Sequence, residues 1–229
     1  MQTIGLIGGT TWYSTIDYYR IINDQINKKL GGDDTAKLIL YSVNYGEIKK
    51  FGQQDNWEAI TEIISSAAKK VEKAGAGCLL LCANTMHHIF NEVQGAVSIP
   101  VIHIADAVAT EIQKKNISTV ALLGTKYTMG LPFYKERLST HDIHTIIPDE
   151  EGFDMVNTTI YEELGKGIFL PQTKRKYIEL INELTRKGSE GIILGCTEIP
   201  MLIKQDDCGT PLFDTTFIHA MAAVDFALK

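Results

Sequence analysis

The sequence predicts an α/β protein built from two pseudo-symmetric lobes, each a mostly parallel sheet flanked by helices. Short apolar runs alternate with longer amphipathic stretches, which is the pattern of parallel strands joined by helices. The second half of the chain also repeats features of the first half. The composition is that of a globular protein, with 229 residues of which 45% are hydrophobic and 22% charged. Such a chain carries enough apolar side chains for a buried core.

The elements follow from the periodicity of the apolar residues. Continuous apolar runs predict buried strands at residues 3–7, 36–43, 78–82, 101–103, 119–123 and 191–194. Apolar residues that return every three or four positions predict helices at 14–30, 56–74, 104–115, 131–138, 172–187 and 216–228. Because helices separate successive strands, the strands can run parallel within each sheet.

An internal repeat divides the chain. An offset of 113 places residues 74–85 on 187–198, and both segments consist of a turn, a buried strand and small polar residues. An offset of 116 places 4–8 on 120–124. A repeat of this kind indicates duplicated structural units, and the alternative is a chance similarity of apolar strands.

The repeat predicts the domain boundaries and the place of the site. One lobe comprises about residues 1–100 with the C-terminal helix at about 216–229, and the other comprises about 101–215. Ligands of parallel sheets bind beyond the carboxyl ends of the strands. We therefore expect one site at the lobe interface, enclosed by the matched strand ends.

Composition and charge exclude several classes of function. The formal net charge of -6 argues against a nucleic-acid partner, because such proteins need a concentrated basic surface. No apolar run approaches the length of a membrane span, and the first residues lead into a strand without the basic segment of an export signal. We expect a cytoplasmic protein without a membrane partner. In that compartment the four cysteines are expected to be free thiols.

The glycine-rich segment 5–11 ends the first predicted strand. It lacks the G-x-G-x-x-G spacing of dinucleotide-binding loops, so we expect no nicotinamide or flavin cofactor. Backbone N–H groups and hydroxyls at a helix start instead suit a small carboxylate. The alternative is a tight turn whose hydroxyls only cap the helix.

Cys196 is the thiol with the strongest functional indication. It lies between Gly195 and Thr197, where a strand gives way to a turn. Nearby backbone N–H groups are expected to lower its pKa and favour the thiolate. The alternative is a small buried hydrophobic residue. Cys78 and Cys82, four residues apart on one strand, are expected to pack on the same face.

These segments together resemble the cofactor-independent aspartate/glutamate racemases of the Asp/Glu/hydantoin racemase superfamily. The resemblance covers nearly the whole chain and is carried by residues 5–9, Trp12, Ser14, Thr15, 84–87, 122–125, 195–198 and 213–215. It implies two acid/base residues, usually both cysteines, on opposite faces of the substrate Cα. One removes a proton and the other delivers a proton from the far side.

The resemblance also implies the ligand contacts and the assembly. A bound aspartate or glutamate would be held by Thr10, Thr11, Asn84, Thr85, Thr125, Thr197 and Lys166. Lys166 can alternatively be a solvated charge at a helix end. The resemblance implies that no cofactor is required. No metal is expected either, because adjacent His87 and His88 cannot share a ligand face and no complete ligand set accompanies them. A homodimer is expected.

One departure from the family pattern affects the chemistry directly. The position that matches Cys196 in both the repeat and the family carries Ala83, where the family has Cys or sometimes Thr. Cys82 is one residue too early, and a shift of one residue on a strand turns the side chain to the other face. The alanine can be an engineered change that stops turnover or a natural feature of a one-thiol enzyme. A one-thiol decarboxylase of the same superfamily and a non-catalytic dicarboxylate-binding protein are the rival interpretations.

Overall fold

The computed structural model describes residues 1–229, which form two compact units. The first unit comprises Met1–His103 and His219–Lys229, and the second comprises Ile104–Ile218. Each unit contains one parallel sheet with helices packed against it. The predicted fold class of two helix-flanked parallel sheets is therefore confirmed. None of the helices combines the length and the apolar character that crossing a membrane requires.

The first unit has a three-stranded sheet in the order β2-β1-β3. Its strands are β1 (Ile4–Gly8), β2 (Leu38–Ser42) and β3 (Cys78–Leu81). Its helices are α1 (Trp12–Leu30), α2 (Tyr45–Gln53), α3 (Trp57–Lys73) and α4 (Phe90–Ala96), with a 3-10 helix at Asn84–Ile89. The central strand β1 pairs in parallel with both neighbours, so that Ile7 lies opposite Tyr41 and Leu81.

The second unit has a four-stranded sheet in the order β5-β4-β6-β7. Its strands are β4 (Thr119–Gly124), β5 (His144–Ile146), β6 (Gly191–Gly195) and β7 (Leu212–Asp214). Its helices are α5 (Ile104–Lys114), α6 (Lys126–Gly130), α7 (Pro132–Ser139), α8 (Glu150–Glu162), α9 (Pro171–Arg186) and α10 (Ile199–Leu202), with 3-10 helices at Leu164–Lys166 and Gln205–Asp207. The last helix, α11 (Thr215–Ala227), begins in this unit and ends in the first.

The side chains of β3 and of Cys82, the residue that follows it, alternate between two apolar clusters of the first unit. Leu79 and Leu81 join the cluster that contains residues of α3, whereas Cys78, Leu80 and Cys82 join the cluster that contains residues of α1 and α11. This is the two-residue period of a strand covered by helices on both faces. Cys78 and Cys82 therefore pack on one face as buried thiols.

One predicted strand is wrong. Residues 101–103 form only a single bridge, between Val101 and Leu79. The Leu79 N–H donates to the carbonyl of Pro100, the Leu79 carbonyl accepts from Ile102, and helix α5 begins two residues later. The run is apolar because it is buried beside the sheet, and a buried run three residues long cannot be distinguished from a strand by pattern alone.

Candidate active site

The strand ends of the first unit bring two predicted segments to one edge of the sheet. Strands β1 and β3 run parallel and in register, and the N–H of Cys82 donates to the carbonyl of Ile7 at 2.9 Å. The loop after β1 and the segment after β3 consequently start side by side. Thr10 and Thr11 belong to the first of these segments, and positions 83–85 belong to the second.

The loop between β1 and α1 is fixed by close backbone packing. Gly9 has a φ of 85°, and a Cβ there would lie 2.2 Å from the carbonyl oxygen of Val43. Only glycine tolerates both the left-handed conformation and this approach. The Thr15 hydroxyl accepts from the N–H of Gly9 at 2.9 Å and donates to the carbonyl of Thr11 at 3.1 Å. The loop is therefore held in shape before any ligand binds.

Thr10 has a hydroxyl that is buried without a hydrogen-bond partner. An unpaired buried hydroxyl costs free energy, so its presence needs an explanation. It precedes α1, whose N-cap residue Thr11 makes no side-chain capping bond and whose first turn contains no acidic residue. The N-terminus of a helix attracts anions through its N–H groups and its dipole. The loop is accordingly suited to a carboxylate.

The side chains of Ala83 and Cys82 lie on opposite faces of the segment that follows β3. Ala83 packs against the cluster of α3, whereas Cys82 is fully buried in the cluster of α1 and α11. The thiol of Cys82 therefore lies on the opposite face from the alanine methyl group. Burial also raises the pKa of Cys82 far above its ordinary value. Cys82 cannot replace an acid/base residue at position 83.

His87 holds the backbone of position 83. Its Nδ1 lies 3.1 Å from the Ala83 carbonyl oxygen. A carbonyl only accepts, so this nitrogen carries a proton. The ring is buried one turn further along the 3-10 helix that begins at Asn84. The sequence placed His87 in the motif 84–87 and raised it as a possible metal ligand, but it did not indicate this contact.

The strand ends of the second unit bring together three further predicted residues. Gly124 at the end of β4 pairs with Gly195 at the end of β6, and a Cβ on either glycine would lie 2.9 Å from a carbonyl oxygen of the other strand. Thr125 follows the first strand and caps α6 through its hydroxyl. Cys196 and Thr197 follow the second. The two segments thus leave the sheet at adjacent positions.

The thiol of Cys196 is bonded to a carboxylate. Its Sγ donates to Oε2 of Glu198 at 2.8 Å, and the Thr197 hydroxyl donates to the same oxygen at 2.7 Å. Burial, followed by the negative charge of Glu198, raises the pKa of Cys196 well above its ordinary value. The predicted lowering of this pKa is therefore wrong. Backbone bonds do lower it, but burial and the carboxylate outweigh them, and the resting group is a thiol.

Glu198 is a buried residue at this strand end to which the sequence alone assigned no role. It is buried in the turn before α10, and it contacts Cys196 two residues earlier in the chain. The internal repeat aligns it with Thr85, and that alignment drew no attention to a carboxylate. The only available signal was an acidic residue two positions after the cysteine, at the end of a strand.

Lys166 lies on the surface of the second unit. It ends the 3-10 helix after α8, is half exposed, and its Nζ donates to Glu162 at 2.5 Å. In this structure the charge is used in an exposed ion pair, which contributes little stability. A contact between Lys166 and a substrate stays a prediction.

Two parallel sheets with hydroxyl residues beyond their strand ends are typical of α/β proteins that bind small molecules at that edge. The model of the Asp/Glu/Hydantoin racemase family matches residues 7–223, and the chain belongs to this family. The broad specificity amino-acid racemase RacX of Bacillus subtilis (strain 168) is 23% identical over 234 residues, with 96% of each chain covered.

Solved structures agree over the full length. A crystal structure from Yersinia pestis assigned to the Asp/Glu racemases is 44% identical, with a TM-score of 0.96 and 100% of both chains covered. The aspartate racemase homologue of Pyrococcus horikoshii OT3 is 38% identical, with a TM-score of 0.88 and 100% of both chains covered. Membership of this family supports an amino-acid racemase in general terms.

Proposed function

We propose that the protein acts on aspartate or glutamate by cofactor-independent proton transfer at Cα, with Cys196 as one acid/base residue. The observation that carries the proposal is the 2.8 Å bond from the Cys196 thiol to the buried carboxylate of Glu198. The thiol of Cys196 can donate its proton, and the carboxylate of Glu198 is placed to accept it. Family membership supplies the reaction class.

The carboxylate of the substrate would bind where the hydroxyl of Thr10 is buried without a partner. The amino end of α1 adds N–H groups with partial positive charge. Donors fixed before the reaction stabilise the charge that develops when the Cα proton leaves. Further donors are proposed at Thr11, Asn84, Thr85, Thr125, Thr197 and Lys166.

The raised pKa of Cys196 suits a weakly acidic carbon. Proton transfer is most efficient when the pKa values of donor and acceptor approach each other. The Cα proton of an amino acid is very weakly acidic, so a thiolate made more basic by burial is the better match. To form that thiolate, the Sγ proton moves to the carboxylate of Glu198. Taking the Cα proton makes the sulfur a thiol again, while Glu198 keeps the first proton. Once the sulfur has given a proton back to Cα, the proton on Glu198 returns to the sulfur along the same bond, and exchange of either held proton with solvent introduces deuterium.

With Ala83 at the second position, an acid/base residue is available on only one face of the substrate Cα. The thiolate of Cys196 can remove the Cα proton only from the enantiomer whose C–H bond points toward it. The same thiol then returns a proton to the same face, and the starting enantiomer is regenerated. Inversion requires a donor on the other face, and the methyl group of Ala83 carries no exchangeable proton. We therefore expect exchange of the Cα proton without efficient racemisation.

The test compares proton exchange with inversion in one set of variants. Deuterium incorporation at Cα is followed by NMR and inversion by circular dichroism, for both enantiomers of aspartate and glutamate. The unaltered chain should exchange one enantiomer. Ala83→Cys and Ala83→Thr should racemise, with Ala83→Cys roughly a hundred- to ten-thousandfold faster than the unaltered chain. Cys196→Ser in the Ala83→Cys background is the matched control and should abolish racemisation.

Three outcomes contradict the proposal. If the unaltered chain racemises as fast as Ala83→Cys, position 83 is not the second acid/base position. If the chain releases CO₂ from a malonate and leaves amino acids unchanged, it is a decarboxylase. If it binds the amino acids but neither exchanges nor inverts them, in the unaltered chain and in Ala83→Cys alike, it is a binding protein.

A further inference from the structure

His87 is packed among three other rings of the first unit. Its ring centroid lies 4.8 Å from that of His103 and 5.4 Å from that of His219. The ring of Phe90 stacks on it at 6.5 Å, with an angle of 12° between the two planes. The three histidines are buried. Close packing leaves a side chain little freedom to change its rotamer, so the ring of His87 is held in one orientation.

One of these neighbouring rings is itself fixed by two hydrogen bonds. Nδ1 of His219 lies 2.8 Å from the hydroxyl of Tyr18, and its Nε2 lies 2.8 Å from the carbonyl oxygen of Ile102. Breaking a buried hydrogen bond costs free energy, because the separated groups are not hydrated. His219 therefore cannot turn freely, and it forms a rigid surface against which His87 packs.

The N–H of this fixed ring is directed at the backbone of position 83. Nδ1 of His87 lies 3.1 Å from the carbonyl oxygen of Ala83. The register of β3 with β1 ends at Leu81, so position 83 lies beyond the sheet, with an extended backbone at φ -155° and ψ 138°. Because Cα is tetrahedral, its nitrogen and its carbonyl carbon fix the direction of Cβ. A bond to this carbonyl therefore helps to set where the side chain of residue 83 points.

We propose that His87 is a positioning residue for the second acid/base position. Its Nδ1–H holds the backbone of residue 83 so that a proton-donating side chain at that position points at the substrate Cα. This inference rests on the proposed function, which assigns inversion to a donor at position 83. The bond is made to a backbone oxygen, so it is retained whatever side chain position 83 carries.

Inversion should depend on His87 more strongly than exchange at the face of Cys196 does. Cys196 belongs to the second unit, and its thiol is bonded to Glu198 two residues further along the chain. A donor at position 83 instead follows the backbone that His87 holds. Proton transfer requires closely placed atoms, and a displacement of about 1 Å can lower a rate on the order of a hundredfold.

The test removes the N–H of His87 in two backgrounds. In Ala83→Cys, His87→Leu should lower kcat for inversion of aspartate or glutamate by roughly ten- to a hundredfold. In the chain with Ala83, the same His87→Leu should leave kcat for exchange of the Cα proton unchanged. Asn84 and Thr85 are proposed substrate donors that follow position 83, and a shift of their segment would appear in KM in both backgrounds.

A rescue variant and a matched control separate positioning from packing. The amide nitrogen of Asn is bonded to Cγ, as Nδ1 of histidine is, so His87→Asn keeps a donor in this place and should restore most of the inversion in Ala83→Cys. Tyr18→Phe removes a buried hydrogen bond to His219 and none to position 83. It should lower the free energy of unfolding without changing the ratio of inversion to exchange. Circular dichroism verifies that each variant folds.

Nitrogen NMR of histidine-labelled protein tests the contact independently of catalysis. His87 should be protonated at Nδ1, and a neutral ring with its proton on Nε2 would overturn the inference even in an active racemase. If Ala83→Cys does not racemise at all, the proposed function fails, whatever the tautomer of His87.

The kinetic outcomes decide the role of His87 when Ala83→Cys does racemise. If His87→Leu leaves its kcat unchanged, or lowers inversion and exchange equally, the proposed function stands and the inference about His87 is overturned. A loss that His87→Asn repeats in full would also overturn it, because the effect would then belong to the volume of the ring and not to its N–H group.

Discussion

His219 provides a quantitative prediction for acid stability. The ring lies in α11 and is fully buried; its Nδ1 is 2.8 Å from the hydroxyl of Tyr18, and its Nε2 is 2.8 Å from the carbonyl oxygen of Ile102. A carbonyl only accepts, so Nε2 carries the proton and Tyr18 donates to Nδ1. Both ring nitrogens are satisfied by the neutral form.

The environment of His219 disfavours a second proton. Burial, followed by the charge of nearby His87, lowers the pKa from 6.5 to about 3, although the bond to Ile102 acts in the opposite direction. At a pH between these two pKa values, the His219 side chain of the unfolded chain binds a proton that the folded chain excludes. Stability is therefore fully present above pH 6.5 and is lost as the pH falls toward 3. The loss amounts to about 2 kcal/mol at pH 5 and about 3 kcal/mol at pH 4.

Urea unfolding measured at several pH values tests this prediction. The free energy of unfolding should fall by about 1.4 kcal/mol per pH unit through His219 between pH 6 and 4. His219→Gln retains an acceptor for Tyr18 and a donor for Ile102 but does not titrate, so its slope should be smaller by that amount. Equal slopes for the unaltered chain and His219→Gln would refute the reasoning.

Two further predictions concern the strand ends. Glu198→Gln removes a charge that raises the pKa of Cys196. In a Cys208→Ser background, iodoacetamide should therefore alkylate the Cys196 thiol faster, by about tenfold for each unit by which the pKa falls. An unchanged alkylation rate would count against the carboxylate contact. Gly9→Ala should destabilise the protein by more than about 3 kcal/mol, because the new Cβ meets a carbonyl oxygen. Gly75→Ala, which has positive φ but open space, should cost only about 1–2 kcal/mol in the same urea assay.

The alternation of apolar runs and amphipathic stretches was enough to predict two parallel sheets with helices. Buried parallel strands read as continuous apolar runs, and the helices between them keep their three-to-four residue period. Strands β5 and β7 were not predicted, because each has three residues and lies at an edge of its sheet. Their pairing depends on β4 and β6, which are distant in the chain.

The repeat placed Cys196 and position 83 at equivalent strand ends from the sequence alone. That inference uses only the register of similar segments, and register fixes the face of a side chain on a strand. The structure then put Cys82 and Ala83 in different apolar clusters, which is the consequence of a one-residue step. The position of a residue along a strand is local information.

The properties of the same residues were decided by the tertiary structure. The sequence indicated a lowered pKa for Cys196, because it shows a turn with backbone N–H groups but not how deeply the turn is buried. Folding removes the thiol from water and brings the carboxylate of Glu198 to 2.8 Å, and both effects raise the pKa. The neutral ring of His219 has the same origin. Apolar period and residue type are local, whereas solvent exposure and electrostatic environment depend on which distant segments pack against a side chain.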